Sequence, residues 1–425
     1  MPQTLLGSIA LAYQPLWGRN RALVGVRLTV FPVPGGIVDG LHLLQILRNF
    51  WPHKNATLIV SPATPELLST LLEHAPAYSP CIEVPCEWLE DAAIASLVRI
   101  AHLRGLQMVW RGPNDWVPAP ELVPCFRQQL LSMDAQDTMA ALRSALLATT
   151  AQTNGNSAGG TGGFGGGFAL APPPSPVQAQ QIYENIASRA LVDHCLDQRQ
   201  VAGLLGWPAE EVLHPYRHAG VQPGQHSLQR VINAASADAS METLEAFIGE
   251  DPVLAYRLLA HINSAAMGLR GGIDSLRRAL MMLGYTALKA WCVQQLPNAN
   301  EDRNLNPVRT GMVLRARLIE YLLDAGGETD LRREIYLCGL FSQLDMLMDG
   351  TLEATLARIP ISDRITQAIT TGEGPYAPYL LTAKALEASS AAHLPELCAG
   401  FDMDLDDVNR ALLRTLGATA VSGSV

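Results

Sequence analysis

The sequence predicts two domains, an N-terminal α/β domain and a C-terminal all-α domain, and three observations support this prediction. The chain has 425 residues, more than a single hydrophobic core usually holds. Residues 1–175 alternate short apolar runs with helical segments, whereas residues 225–425 show helical periodicity throughout. Between these regions lies a stretch rich in glycine, residues 152–167. We therefore expect two folding regions joined by a flexible connection.

The N-terminal region alternates strands with helices along the chain. The patterns predict strands at Ser8–Gln14, Ala22–Phe31, Thr57–Val60, Cys81–Val84 and Leu106–Trp110, with helices at Val38–Phe50, Trp88–Leu103 and a segment that ends at Leu72. Such alternation indicates βαβ units around a parallel sheet. A barrel of these units normally takes about 250 residues. A domain of residues 1–175 is therefore expected to be a shortened or incomplete barrel.

Three motifs in this region resemble the EAL family, the cyclic-di-GMP phosphodiesterases. AYQPLWGRNRALVGVRL resembles the opening of an EAL domain, where a strand, a turn and a second strand lead into the Glu-Ala-Leu triplet. LIVSP resembles the third motif of the family, and GGFALAPPP resembles its closing strand. The resemblance implies a TIM-like barrel over residues 1–175. It also implies hydrolysis of a phosphodiester by metal ions that carboxylates and an asparagine hold.

Most positions that would hold the metal ions carry other residues. Arg27 stands where the family has its naming glutamate, and Ile59 stands at the metal-ligand asparagine. The paired aspartates are replaced by Trp110 and Arg111. Glu83 alone aligns with a ligand glutamate of the family. Because a cation and apolar side chains offer no donor atoms to a divalent metal, we expect a degenerate barrel that holds no metal and does not hydrolyse cyclic-di-GMP. Binding of the dinucleotide without hydrolysis, or residual hydrolysis, stays open as the alternative.

The connection between the two regions is expected to carry no site of its own. The glycine run is followed by neither a Gly-Lys-Ser/Thr motif nor a strand-to-helix context, so it does not match a phosphate-binding loop. Residues 177–224 are predicted to form linker helices. Their spacing also resembles a helix-turn-helix motif, but Glu210 and Glu211 stand where DNA would approach, and Pro215 would truncate the second helix. We therefore expect no nucleic-acid binding.

The C-terminal region is organised around a helical hairpin between Asp251 and Trp291. Pro252 suits the first turn of a helix, and Asp251 before it can accept from the free N–H groups of that turn. A second helix restarts at Ser275, and Gly284 interrupts it. Leu258 and Leu283 are expected to be buried at the centre of the bundle, in a core separate from that of the barrel.

The motif DPVL…LL..INSAAMG…I.SLRRAL.MLG resembles the signature of HDOD domains, which are non-catalytic relatives of HD-type phosphohydrolases. The resemblance covers about residues 225–400, and it is closest to HDOD domains that follow an EAL-like domain. It implies an all-α domain over residues 225–425. Its signature and structural positions in this chain are Asp251, Pro252, Asn263, Ser264, Gly284 and Asp345.

The metal-binding His-Asp pair of HD phosphohydrolases is also absent. Ser342 and Gln343 stand at these two positions, and their neutral side chains are weak metal donors. Asp345 is expected to act as a structural hydrogen-bond acceptor. Asn263 and Ser264 are expected to lock the bend between helices through bonds from side chain to backbone. His261 lacks a second ligand one turn later, so we expect a partly buried histidine and no metal site.

Bulk properties narrow the class of protein. The net charge is −10, and residues 1–175 carry 10 Lys/Arg against 11 Asp/Glu, so neither half has a basic surface for nucleic acid. No apolar run is long enough to span a membrane, and the N-terminus lacks the features of a secretory signal. The seven cysteines show no zinc-ligand spacing. We expect a cytoplasmic protein without cofactor, with reduced thiols.

The two vacated sites together predict a signalling protein that works through protein–protein contact. The all-α domain is expected to bind signalling proteins, whose identity the sequence does not indicate, and the degenerate barrel is expected to be a docking platform or sensor. The rival hypothesis is cyclic-di-GMP binding, or residual phosphodiesterase activity, at the barrel. The number of remaining ligands disfavours hydrolysis.

Overall fold

A computed structural model describes residues 4–36, 38–51, 56–155, 174–267, 272–323 and 328–422. Its N-terminal half is a closed barrel of eight strands, with the bounds β1 Ile9–Trp17, β2 Leu23–Pro32, β3 Thr57–Pro62, β4 Cys81–Pro85, β5 Met108–Pro113, β6 Gln128–Ser132, β7 Ile182–Glu184 and β8 Gly203–Leu205. Strand β1 pairs antiparallel with both β2 and β8. All other neighbouring strands run parallel. The predicted α/β barrel is confirmed.

The barrel is complete, which corrects part of the sequence interpretation. Strands β7 and β8 lie within residues 177–224, so the prediction that this range holds only linker helices is wrong. Strand β8 also occupies the first part of the helix-turn-helix candidate. These two strands have only three residues each, too few to show the alternation that marks a longer strand. Strand β6 was missed as well, because QQLLS alternates poorly.

Helices of varied length cover the outside of the barrel. They are α1 Gly40–Phe50, α2 Pro65–His74, α3 Ala92–Leu103, α4 Ala135–Gly155 and α5 Arg189–Asp193, and α5 continues into a π-helical turn at His194–Gln198. Asp39, Thr64 and Asp91 cap α1, α2 and α3 by accepting from N–H groups of the first turn. Helix α4 extends to Gly155, so the first four residues of the predicted flexible stretch are helical. The rest of that stretch, and nearly all of the GGFALAPPP motif, lie outside the described residues.

The C-terminal half is helical, as predicted. Its helices are α6 Ala209–Leu213, α7 Gln225–Ser236, α8 Met241–Gly249, α9 Pro252–Ile262, α10 Leu276–Gln295, α11 Asn306–Leu323, α12 Thr329–Phe341, α13 Leu352–Leu356, α14 Asp363–Thr370, α15 Ala377–Leu386, α16 Leu394–Gly400 and α17 Leu405–Ser422. Within the described ranges, none of the helices combines the length and the apolar character that crossing a bilayer requires. Five of the seven cysteines are buried, as expected for small apolar side chains.

The two halves share one hydrophobic core, so the expectation of separate cores is wrong. A single cluster of buried side chains runs from the outer face of the barrel strands into the helical bundle. Helix α17 packs against β1 and β2. Within this contact Asn409 is buried, and its Nδ2 donates to the carbonyl oxygens of Leu6 and Ile9, at 2.8 Å each. The last helix of the chain therefore completes the packing of its first strand.

The organising hairpin matches its prediction at most positions. Leu258 is fully buried, as predicted. Leu283 is only half-buried, so its predicted place at the centre of the bundle is wrong. The reason lies at the next residue, where Gly284 has φ 71° and ψ 169° and kinks α10. The kink turns the helix at this point, so residues around it do not keep one continuous buried face.

Candidate functional site

Inside the barrel, an apolar layer is followed by a polar layer toward the carboxyl ends of the strands. The apolar layer contains Leu16, Ile59, Val109, Leu130, Ile182 and Leu205. Two residues later on four of these strands stand Ser61, Arg111, Ser132 and Glu184. Side chains at i and i+2 of a strand share a face. The polar layer therefore lies at the mouth where barrel enzymes place their active sites.

Arg27 lies in the middle of the polar layer, and only 9% of its surface is exposed. Its Nη2 donates to Glu83 Oε1 at 2.6 Å, and its Nη1 donates to Glu184 Oε2 at 3.1 Å. Gln14 Oε1 and Ser61 Oγ accept from the same guanidinium at 3.2 and 3.3 Å. The arginine at the vacated glutamate position thus pairs with the carboxylates around it.

Glu83 is the centre of negative charge at the mouth, and none of its surface is exposed. Its neighbours Ile82 and Val84 point outward into the main core, so strand alternation places the carboxylate inside the barrel. Besides Arg27, its Oε1 accepts from Ser61 Oγ at 3.0 Å and lies 2.9 Å from Arg111 Nε. Its Oε2 has no hydrogen-bond partner within the described part of the chain.

Charge is balanced at the mouth by two carboxylates and two guanidinium groups, those of Arg27 and Arg111. Burial of this cluster costs free energy, and the pKa of Glu184 reflects this cost. Burial raises the pKa of the Glu184 carboxyl above its ordinary value, although Arg27 and Arg111 act in the opposite direction. Ion pairing therefore offsets only part of the desolvation of this carboxylate.

These residues do not fit a catalytic metal ion. The described ranges contain no group of three or more His, Cys, Asp or Glu side chains placed to hold a metal. The guanidinium of Arg27 also lies between Glu83 and Glu184 and donates to both. A metal ion would have to displace this cation, which cannot itself be a ligand.

The other two vacated positions lie in apolar surroundings. Ile59 belongs to the apolar layer inside the barrel and is 1% exposed. Trp110 faces outward into the main core and packs edge-to-face on Trp116, with ring centroids 5.1 Å apart. Of the pair that replaces the two aspartates, only Arg111 reaches the mouth.

The vacated site of the helical domain also contains a buried arginine. Ser342 ends α12, is 6% exposed and donates to the carbonyl oxygen of Gly339 at 2.8 Å. Arg315 of α11 donates from Nη1 to Ser342 Oγ at 3.0 Å and from Nε to Glu387 Oε1 at 2.9 Å. Gln343 begins the following 3₁₀ turn and is half-buried. The Arg315 guanidinium thus contacts Ser342, the residue at the position where HD phosphohydrolases have their metal-binding histidine.

Glu387 connects this site to the barrel. Tyr13 of β1 is buried, and burial together with the nearby Glu387 carboxylate raises the pKa of its phenol well above the ordinary value. The next residue of β1 is Gln14, which accepts from Arg27 at the barrel mouth. Strand β1 therefore has one side chain in each of the two vacated sites.

The signature residues of the helical domain have structural roles, with one exception. Asp251 is fully buried and caps α9, since its Oδ1 accepts from Val253 N and Leu254 N at 3.1 Å each. Its Oδ2 accepts from Gly224 N at 2.8 Å, and Pro252 occupies the first turn as predicted. Asp345 is exposed, and no hydrogen bond of its side chain occurs within the described ranges. Its predicted role as a structural acceptor is wrong, because the 3₁₀ turn that follows α12 points it to solvent.

Asn263 locks the bend after α9 by three hydrogen bonds. Its Nδ2 donates to the carbonyl oxygens of Leu259 and Ile273 at 2.8 Å each, and its Oδ1 accepts from Ile273 N at 2.7 Å. The predicted side-chain bond is wrong for Ser264, whose side chain makes no hydrogen bond within the described ranges; its backbone carbonyl instead accepts from Met267 N at 3.0 Å. His261 stacks on Trp291, with ring centroids 5.5 Å apart, as a half-buried histidine.

Four residues that take part in these two sites were not predicted from the sequence: Tyr13, Glu184, Arg315 and Glu387. One signal was available for Arg315, because it shares a face of α11 with the apolar residues Met312 and Ile319, where a charge needs a partner. No local signal marks Glu387, which lies 72 residues further along the chain. Glu184 belongs to a strand too short to be recognised.

Comparisons with known proteins support the prediction of an HDOD domain in the helical half. Residues 224–354 match the family model of the HDOD domain, so the C-terminal half contains an HDOD domain. "Cyclic di-GMP phosphodiesterase CdgJ" of Vibrio cholerae is 24% identical over 170 residues, which are 40% of this chain and 39% of that protein. The uncharacterized protein YuxH of Bacillus subtilis is 24% identical over 196 residues, 45% of this chain and 47% of that protein. The chain thus aligns with less than half the length of either relative.

Among solved structures, the MmoQ response regulator of Methylococcus capsulatus is similar to part of the chain. The identity is 17% and the TM-score is 0.36. The match covers 46% of this chain and 98% of that chain.

Proposed function

We propose that this chain is a non-catalytic signalling protein whose HDOD domain binds partner proteins and whose EAL-like barrel serves as a docking platform or sensor. The observation that carries the proposal is the position of Arg27. Its buried guanidinium pairs with Glu83 and Glu184, the carboxylates that face the barrel mouth. A metal ion that entered this site would meet the Arg27 guanidinium, which is already paired with the two carboxylates that the metal ion would need as ligands.

The HDOD site supports the same proposal independently. There too an arginine, Arg315, contacts the position where a metal-binding family has its histidine, and it pairs with a carboxylate. Two unrelated sites thus use a permanent internal cation where hydrolytic relatives use a metal ion.

The relatives suggest that the chain acts in cyclic-di-GMP signalling. The Vibrio relative carries the name of a cyclic-di-GMP phosphodiesterase, and the motifs around Arg27 resemble the EAL family. In this proposal the chain keeps the barrel fold of the EAL family and acts through partner proteins in the cytoplasm.

The proposal is tested first by a hydrolysis assay. The purified full chain is incubated with cyclic-di-GMP and Mg²⁺ or Mn²⁺, and the linear dinucleotide is measured by chromatography. We expect no turnover above that of the Glu83→Gln variant, which is the matched control because a contaminating enzyme would act equally in both samples. Turnover by the unchanged chain that disappears in Glu83→Gln would contradict the proposal.

The second candidate function is cyclic-di-GMP binding, or residual hydrolysis, at the barrel. The name of the Vibrio relative favours it, and so does Arg111, which is a third exposed at the mouth and could meet a phosphate. Calorimetric titration of the full chain with cyclic-di-GMP separates the two functions. A heat of binding that is lost in Arg111→Gln would favour the second candidate, whereas the proposed function expects no such heat.

A further inference from the structure

The HDOD domain has a cavity on the side formed by helices α8, α10, α11 and α12. The cavity has a volume of about 300 Å³, the lower end of the range for ligand pockets, roughly 300–1,000 Å³. Its floor is apolar and consists of Ala246, Gly249, Leu276, Leu337 and the ring of Tyr336. The Tyr336 hydroxyl donates to the carbonyl oxygen of Gly249 at 3.1 Å, which fixes the ring against α8.

The rim of this cavity is charged, and guanidinium groups pair with each of its carboxylates. Glu245 lies 3.1 Å from Arg333 and Glu320 lies 2.9 Å from Arg332, both on the rim, whereas Arg277 behind the rim lies 2.5 Å from Glu242 and 3.8 Å from Glu245. Burial raises the pKa of the Glu245 carboxyl above its ordinary value, although the charges of Arg333 and Arg277 act in the opposite direction. An ionic ligand would have to break one of these pairs to find a partner. The rim therefore complements a neutral group.

We propose that this cavity receives one bulky apolar side chain, such as phenylalanine or leucine, from the partner protein. The inference rests on the proposed function and names the chemistry of its contact. An apolar pocket inside a ring of polar side chains is the usual arrangement of an interface hot spot, where the ring excludes water from the anchor. A volume of about 300 Å³ gives room for one large side chain.

The test uses capped amino acids as mimics of the anchor. Saturation-transfer NMR is recorded on the full chain with N-acetyl-phenylalaninamide or N-acetyl-leucinamide at millimolar concentration, and with phenyl phosphate as the charged alternative. Both capped amides should receive saturation, and phenyl phosphate should receive none. Ala246→Phe, which fills the cavity from an exposed position of α8, should abolish the signal of the amides. Ala246→Leu should weaken it.

Ala287→Phe is the matched control, because Ala287 is an exposed alanine of α10 that does not line the cavity. This variant should bind both amides as the unchanged chain does, and circular dichroism verifies that each variant is folded. Absence of saturation from both amides, or equal saturation in Ala246→Phe, would overturn the inference. Saturation of phenyl phosphate that Ala246→Phe removes would also overturn it. In each of these cases, a chain without hydrolytic turnover leaves the proposed function intact.

Discussion

At the barrel mouth, the buried Arg27 and Glu83 and the partly buried Arg111 and Glu184 form one cluster where a metal-dependent enzyme would hold its ions. Breaking such a cluster is costly, because a buried charge left without its partner destabilises a protein by about 3–5 kcal/mol. Glu83, which is completely buried, depends most on Arg27. Arg27, at the vacated glutamate position, therefore offsets part of the cost of burying the Glu83 carboxylate.

Glu184 makes the stability of the protein depend on pH. Its pKa is raised above the unfolded value of 4.5, mainly by burial. Protonated Glu184 therefore favours the folded state, and this contribution is complete below pH 4.5 and is lost as the pH rises through the folded pKa. We expect the free energy of unfolding, measured relative to Glu184→Gln, to fall as the pH rises from below 4.5 toward neutral.

Urea unfolding of both proteins at several pH values measures this difference, and other titrating groups cancel in the comparison. Glu121→Gln is a suitable control, since Glu121 is exposed on the surface. A difference that stays constant with pH, or that grows as the pH rises, would contradict the raised pKa.

At the scale of elements, the hairpin of α9 and α10 depends on local devices at its ends and on packing in its middle. Asp251 caps the first helix, Asn263 closes the bend, and Ser275 caps the second helix by accepting from Arg278 N at 3.3 Å. Gly284 then adopts a combination of φ and ψ that only glycine adopts readily. A Cβ at this position would meet no atom within 4 Å, so the backbone, and not space, requires glycine.

Two leucines of this hairpin should differ in their contribution to stability. Leu258 is fully buried, so Leu258→Ala should leave a cavity and cost about 2–5 kcal/mol. Leu283 is half-buried beside the kink, so Leu283→Ala should cost clearly less, because its neighbours and solvent fill part of the space. Denaturant unfolding of the full chain measures both values. Equal losses would mean that the kink does not reduce the packing of Leu283.

At the scale of the whole molecule, polar contacts near both ends of β1 join the barrel to the helical half. Asn409 of α17 bonds to the backbone next to β1, and Glu387 lies beside Tyr13. At the other end of β1, the buried Arg21 donates to Asn304 Oδ1 at 2.7 Å and pairs with two aspartates that follow β7. These contacts and the shared core indicate that the two halves stabilise each other.

We expect the full chain to unfold in one cooperative transition. Six of the seven tryptophans precede residue 208, so fluorescence follows the barrel, while far-ultraviolet circular dichroism follows mainly the helices. The two midpoints should coincide, and Asn409→Ala should shift both, since it leaves two buried carbonyl groups unpaired at a cost of about 1–3 kcal/mol. Two separate transitions, or a shift of one midpoint alone, would show that the halves are independent.

The predictions from the sequence agree best with the structure where the decisive interactions join residues that are close together in the chain. Asp251 and Pro252 mark the start of α9, and Asn263 marks its end, because capping and turn bonds join residues a few positions apart. The alternation of β1 to β5 was readable for the same reason. The prediction failed for β7 and β8, which are short and are held by their neighbours in the barrel, and for Leu283, whose burial depends on the direction of a helix after a kink.

The sequence by itself determined the two architectures, the absence of metal ligands at Arg27, Ile59, Ser342 and Gln343, and the signature of the HDOD domain. Only the tertiary structure decided which side chains surround the vacated positions and how the two halves pack together. Arg27 meets Glu184 across 157 positions, and Arg315 meets Glu387 across 72. Such pairs leave no periodic trace along the chain, because closure of the barrel and packing of the helices bring them together. The same folding joins the first strand to the last helix in one core.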